Sequence, residues 1–174
     1  AAAKLQLGNG LEPGVTLGPL IEQQGLTKVV EHVADARSHG ANVVLGGAPS
    51  KLGMTFYEPT ILTGVTNDMA MTHEETFGPV AAIASFKTEA DAIALANDTP
   101  FGLASYFYSR DIGRVWRVAE AIETGIVGIN TGLVTTESIP FGGVKESGIG
   151  REGSKYGIEE WLEIKYLCFG GLDA

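Results

Sequence analysis

The chain has 174 residues, of which 44% are hydrophobic and 19% charged, and its formal net charge is −9. This composition is that of a folded domain with a sizeable core and excludes an intrinsically disordered chain. The negative balance, with no block of Lys or Arg, excludes nucleic acid as an expected partner.

The opening stretch AAAKLQLGNG reads as the last turns of a helix stopped by Gly8 and Gly10. A helix without its own start signal, on a chain beginning at Ala1 rather than Met, fits a processed start or the cut end of something longer. No charged leader precedes an apolar stretch, so no signal peptide is read. A second helix follows Pro19, with Ile21, Val29, Val30 and Val33 at roughly helical spacing and Gly40 at its end. ANVVLGG is a short strand. FYEPTIL is extended and interrupted by Pro59, which predicts an edge rather than a central strand.

From Val80 the pattern becomes regular. VAAIASF predicts a buried strand, and TEADAIALAND a helix with Thr88 as N-cap and Asp91 in its first turn. LASYFYS is a strand, DIGRVWRVAEAI a helix capped by Asp111, and GIVGIN a further strand. Strand, helix, strand, helix, strand with short links predicts an α/β fold with a parallel sheet and right-handed crossovers. A long irregular stretch from Thr131 to Gly150 follows, the kind that is functional more often than decorative. SKYGIEEWLEIKYLCFGG closes with a short helical turn and a β-prone tail. No apolar run nears the ~18 residues of a membrane span, so no membrane partner is expected.

Several stretches invite a chemical reading. GIGREG matches G-x-G-x-x-G, but that fingerprint works between a strand and a helix, and PFGGVKES does not read as a strand. A glycine-rich loop leading into a helix is the better account. His32 and His39 lie on one helix and His73 far from them. With one cysteine, no HExxH and no CxxC, no metal site is expected, and helix-surface histidines explain the pair. Cys168 sits in the alternating stretch LEIKYLC and reads as a packing thiol; as a lone cysteine it fits a reducing compartment.

The cluster THEETFGPVAAI leaves two readings open. Glu74 and Glu75 can form a solvated turn with Phe77 as a core anchor. Alternatively, one carboxylate accepts two hydroxyl hydrogen bonds from a sugar, as a cofactor ribose would offer. Hydrogen bonds to a charged acceptor contribute roughly 1.5–3 kcal/mol each.

Taken together, EETFGPV, NDTPFGLASYFYSRD, GIVGIN and PFGGVKESGIGRE resemble the aldehyde dehydrogenase superfamily, in order and spacing and over essentially the whole chain. Within it the stretch from Asn130 to Cys168 is most similar to succinate-semialdehyde dehydrogenases, with glutarate-semialdehyde enzymes as the nearest rival. The resemblance implies an NAD(P)-dependent oxidoreductase that oxidises a small semialdehyde to the acid through a cysteine thioester. It implies that Glu75 binds the nicotinamide-ribose hydroxyls, that Phe77 packs near the nicotinamide, and that Lys28 is a weaker cofactor contact, the cofactor being NAD or NADP. It also implies a substrate-lining loop between Asn130 and Phe141. There Thr135 stands where semialdehyde enzymes often carry a serine for the distal carboxylate, and Phe141 forms an apolar wall.

By the same resemblance, residues 1–160 are the C-terminal part of the catalytic domain. Residues 161–174 are an oligomerisation tail whose strand extends a neighbouring subunit's sheet, giving a homo-oligomer. The nucleophile, general base and oxyanion donor of the family lie upstream of this segment, so no catalytic residue is assigned and the chain alone is expected to be inert. A non-catalytic module that assembles with full-length subunits is the alternative. A cytoplasmic location is expected.

Overall fold

A computed structural model describes residues 1–171. The chain divides into two units, Ala1–Asp91 and a second beginning at Ala92.

The first unit is built on helix α1, Gln23–Ser38. Leu26, Val29, His32, Val33 and Ala36 are its buried positions, the recurrence a helix makes when one stripe faces a core. Gly40 ends it with φ +97, a left-handed value that a side chain would disfavour. The stripe packs with Tyr57, Leu62, Val65 and Met69 into one hydrophobic cluster. Val29, Val33, Leu62 and Met69 are fully buried, worth ~1.5–3 kcal/mol each against exposure.

Strands β1 (Asn42–Leu45), β2 (Thr60–Thr63) and β3 (Val80–Ile83) form a sheet in that order. β1 pairs antiparallel to β2, and β2 pairs parallel to β3. The second half of FYEPTIL is therefore the central strand, not the edge that its proline suggests. Pro59 sits just before the first ladder residue, where its missing N–H removes no ladder bond. Thr60 then donates its N–H to the Pro79 carbonyl at 2.8 Å, starting the parallel ladder.

Two other expectations for this unit change. The N-terminal stretch forms one 3-10 turn, Ala2–Lys4, rather than the end of a long helix, and Leu7 then bridges Leu17. β3 is exposed over Ala81–Ile83, because within its unit it packs on β2 at one edge and little covers its faces.

Helix α2, Glu89–Asn97, opens with the reciprocal cap that TEAD predicts. Asp91 N–H donates to the Thr88 hydroxyl at 3.1 Å, and Thr88 N–H donates to the Asp91 carboxylate at 3.0 Å.

In the second unit, β4 (Phe101–Gly102) pairs antiparallel to β7 (Val144–Lys145). β5 (Ala104–Phe107) and β6 (Ile126–Ile129) form a parallel pair joined through α3 (Ile112–Ala121). The α/β character with parallel pairing is present, carried by the β2–β3 and β5–β6 ladders. Asp111 caps α3, its carboxylate accepting from Arg114 N–H at 2.9 Å; the same bond holds that carboxyl below its ordinary value.

The described end of the chain forms no ladder of its own. A 3-10 turn spans Glu159–Trp161, and residues 162–171 join no ladder within the chain. The β-prone tail is thus without a pairing partner among the described residues; positions 172–174 of that expected tail lie outside them. Cys168 is exposed rather than packed, since the stretch that carries it faces no core. No helix among the described residues is long and apolar enough to cross a membrane.

Candidate functional site

The turn from Glu74 to Pro79 links a 3-10 turn at Ala70–Thr72 to β3, and two contacts with α1 hold it. At one end, His32 places its Nδ1 3.0 Å from the Thr76 hydroxyl and its Nε2 3.4 Å from Glu74 Oε2. At the other end, Gly78 lies against Val29: a Cβ at position 78 would stand 2.4 Å from Val29 Cγ2. Only glycine allows that approach.

His32 is 4% exposed, not the surface residue that the sequence suggests. Its position was legible after all. Val29, His32, Val33 and Ala36 stand at i, i+3, i+4 and i+7, so the histidine belongs to the core-facing stripe. The ionised Glu74 carboxylate has no proton to give, so Nε2 carries the one between them. In a neutral ring Nδ1 then accepts from the Thr76 hydroxyl. Lys28, one turn before His32, brings its Nζ to 3.5 Å from the same Glu74 oxygen. The hydrogen bond from His32, and then that from Lys28, hold the Glu74 carboxyl below its ordinary value.

The other two residues of the turn behave oppositely. Glu75 is exposed and has no hydrogen bond or ion pair among the described residues. Phe77 is 80% exposed with φ +46, a left-handed backbone uncommon for a large side chain. It is not a core anchor. Glu74 and Thr76 are tied toward α1 by their side-chain bonds, whereas Glu75 and Phe77 are exposed. A free carboxylate beside a bare phenyl ring offers two acceptor oxygens and an apolar surface, a pairing suited to a ligand with vicinal hydroxyls next to a flat ring. Of the residues that the sequence nominated here, the structure joins Lys28 to Glu74, and leaves Glu75 and Phe77 exposed.

In the second unit, Asn130 closes β6 with φ +57. Its side-chain amide clamps Ser109 from both sides, accepting from Ser109 N–H at 2.9 Å and donating to the Ser109 carbonyl at 2.8 Å. The irregular stretch then begins. Thr135 is exposed there and belongs to no element. Phe141 is half-buried, exchanges backbone hydrogen bonds with Glu152, and lines an open cleft of about 750 Å³ with Arg151, Ile158 and Trp161. Thr135 is not among the residues of that cleft. Arg151 fixes the cleft's glycine-rich wall by donating Nη1 to the carbonyls of Gly143 and Gly150 at 2.8 and 2.6 Å. GIGREG sits here as a loop, with Gly148, Gly150 and Gly153 at positive φ and turns after it, so it is no dinucleotide fingerprint. No group of three or more His, Cys, Asp or Glu that could hold a metal ion occurs among the described residues.

Residues 1–167 match the aldehyde dehydrogenase family. A glutarate-semialdehyde dehydrogenase of Pseudomonas aeruginosa is 63% identical over 172 residues, which are 99% of this chain and 36% of that protein. The Escherichia coli succinate-semialdehyde dehydrogenase (NADP+) is 59% identical over 98% of this chain and 35% of its own length. Among solved structures, a succinate-semialdehyde dehydrogenase from Burkholderia pseudomallei superposes with a TM-score of 0.93 at 58% identity, covering 97% of this chain and 35% of that one. Betaine aldehyde dehydrogenase from Staphylococcus aureus in complex with NAD+ superposes at 0.87 with 38% identity, covering 93% of this chain and 33% of that one. The chain spans about a third of the length of the relatives it matches. On this match, carried by sequence and fold alike, the chain belongs to the aldehyde dehydrogenase family.

Proposed function

We propose that the chain is the C-terminal part of the catalytic domain of an NAD(P)-dependent semialdehyde dehydrogenase, which oxidises a small semialdehyde to the corresponding acid. The supporting observation is the division of labour in the EET turn: Glu74 is engaged by His32 and Lys28, while Glu75 remains free beside an exposed Phe77. Glu75 accepts hydrogen bonds from the ribose hydroxyls next to the nicotinamide. Phe77 limits where that ring sits. Lys28, engaged with Glu74, contributes to the cofactor site through that ion pair. When bound, the nicotinamide would supply the acceptor for a hydride from the aldehyde carbon, and Glu75 and Phe77 would hold and orient it.

On the substrate side, Phe141 provides an apolar wall and the Thr135 hydroxyl a donor for a distal carboxylate. Succinate semialdehyde, the substrate named for the 59%-identical relative, is the proposed substrate, and glutarate semialdehyde, named for the 63%-identical relative, is the alternative. The thiolate that adds to the aldehyde is not supplied here. Cys168, the only cysteine, lies in the exposed tail, so the chain alone is inert. The tail pairs with a sheet edge of another subunit, making a homo-oligomer. A cytoplasmic location accompanies this reading.

The test is Glu75→Gln in the complete enzyme. Losing the charge on an acceptor of two hydroxyl hydrogen bonds raises the cofactor KM roughly 10- to 100-fold. The aldehyde KM changes little. An unchanged cofactor KM refutes the role of Glu75, and nicotinamide reduction by this chain alone with succinate semialdehyde refutes its inertness.

A further inference from the structure

We propose that His32 is a positioning residue for the cofactor carboxylate: from the buried face of α1 it holds Glu74 and Thr76, and so sets the direction of Glu75 between them. The inference rests on the reading of Glu75 given above. It adds a residue that neither the motif nor the family match assigns.

The geometry carries it. Glu75 has no bond of its own, so its backbone is placed only by its two neighbours in the chain. Both neighbours have side-chain hydrogen bonds to one imidazole, Thr76 to Nδ1 at 3.0 Å and Glu74 to Nε2 at 3.4 Å. The imidazole itself cannot swing. It is 4% exposed, and it sits between Val29 and Val33 on a stripe that is fully packed. A ring partnered at both nitrogens and held in a core is a rigid polar clamp for the loop it meets. The clamp also has work to do. Phe77, two residues beyond Glu75, holds φ +46, a conformation that persists only where surrounding contacts over-determine it. Lys28 adds charge to the Glu74 end at 3.5 Å but reaches neither Thr76 nor the ring. A free carboxylate on an unclamped turn would sample many directions and lose the entropy of ordering on each binding event. His32 removes that cost before the cofactor arrives.

A merely structural histidine would lower the amount or melting temperature of the enzyme and leave KM alone. The complete enzyme is therefore compared as wild type, H32F, T76V and E75Q. H32F keeps an aromatic ring at the position, somewhat larger than imidazole, while removing both hydrogen bonds. T76V removes only the Nδ1 partner at nearly constant shape, and serves as the test should H32F not fold. The expected result is a rise of about tenfold in the cofactor KM for H32F and a smaller rise for T76V, with kcat and the aldehyde KM within about twofold of wild type. Glutamine at position 32, able to donate to Glu74, recovers part of the loss. If E75Q raises the cofactor KM while H32F and T76V leave it unchanged, the positioning role is wrong and the Glu75 reading stands. If E75Q has no effect either, both are wrong.

Discussion

Gly78 offers a quantitative test of the contact that seats the functional turn on α1. Its backbone is in an ordinary region, with no positive φ, so nothing but space requires glycine there. An added Cβ would stand 2.4 Å from Val29 Cγ2 and 3.5 Å from Cγ1, while Val29 Cβ lies at an ordinary 3.6 Å. Val29 is fully buried, and a valine on a helix has one strongly preferred rotamer, so it cannot turn away. Gly78→Ala should therefore cost about 1–3 kcal/mol by overpacking. Val29→Ala alone should cost about 2 kcal/mol for the lost methyls and the void they leave. The double variant puts one methyl into the space that two have vacated. Its cost should fall short of the sum by at least about 1 kcal/mol. Equilibrium urea unfolding of the four proteins measures the cycle. Strict additivity would show that the turn does not rest on Val29 and would remove the seat from which Glu75 and Phe77 project.

Three further outcomes follow from the same contacts. Glu74 is held below its ordinary value of 4.5, so in the folded state it contributes stability that is present above that value and lost as pH falls through the lowered one. The stability gap between wild type and Glu74→Gln should close on acidification below about pH 4.5, and a gap that widens there contradicts the pairing with His32 and Lys28. Asp111→Ala removes the carboxylate that accepts from Arg114 N–H and should lower the melting temperature, with Asp111→Asn recovering most of the loss. Cys168 should react with a thiol reagent in the dilute monomeric chain about as fast as in denaturant, because it is exposed there; protection that appears as the chains associate is the outcome expected if the tail pairs with another subunit.

The legible parts of the fold were those that local chemistry decides. Thr88 with Asp91, and Asp111 before an amphipathic run, announce α2 and α3 through side chains that need only their own first turn. Alternation of short strands with helices predicts parallel pairing, and β2–β3 and β5–β6 pair that way. The failures share a different cause. Burial of VAAIASF and the packing of Cys168 are read from what a segment can bury, and that states nothing of what covers it. What covers it is supplied by other surfaces, and within this chain Ala81–Ile83 and the tail are exposed. Pro59 misled for a geometric reason. A proline weakens a ladder only at a position that must donate, and it stands one residue ahead of the first such position.

The site shows the same limit at finer grain. Two adjacent glutamates are chemically identical in sequence, and no composition or period says which is free to bind. That distinction arises because α1 presents a cation and an imidazole to one of them only. Lys28 and His32 are four residues apart, so the helix places both on the side that meets Glu74. The spacing was visible; its meaning depended on His32 lying in the stripe of Val29, Val33 and Ala36, which makes it a core residue with two polar nitrogens to satisfy. A buried histidine must find partners, and those that it finds are the residues on either side of Glu75. The free, exposed carboxylate and the buried ring are thus two consequences of one packing decision on α1.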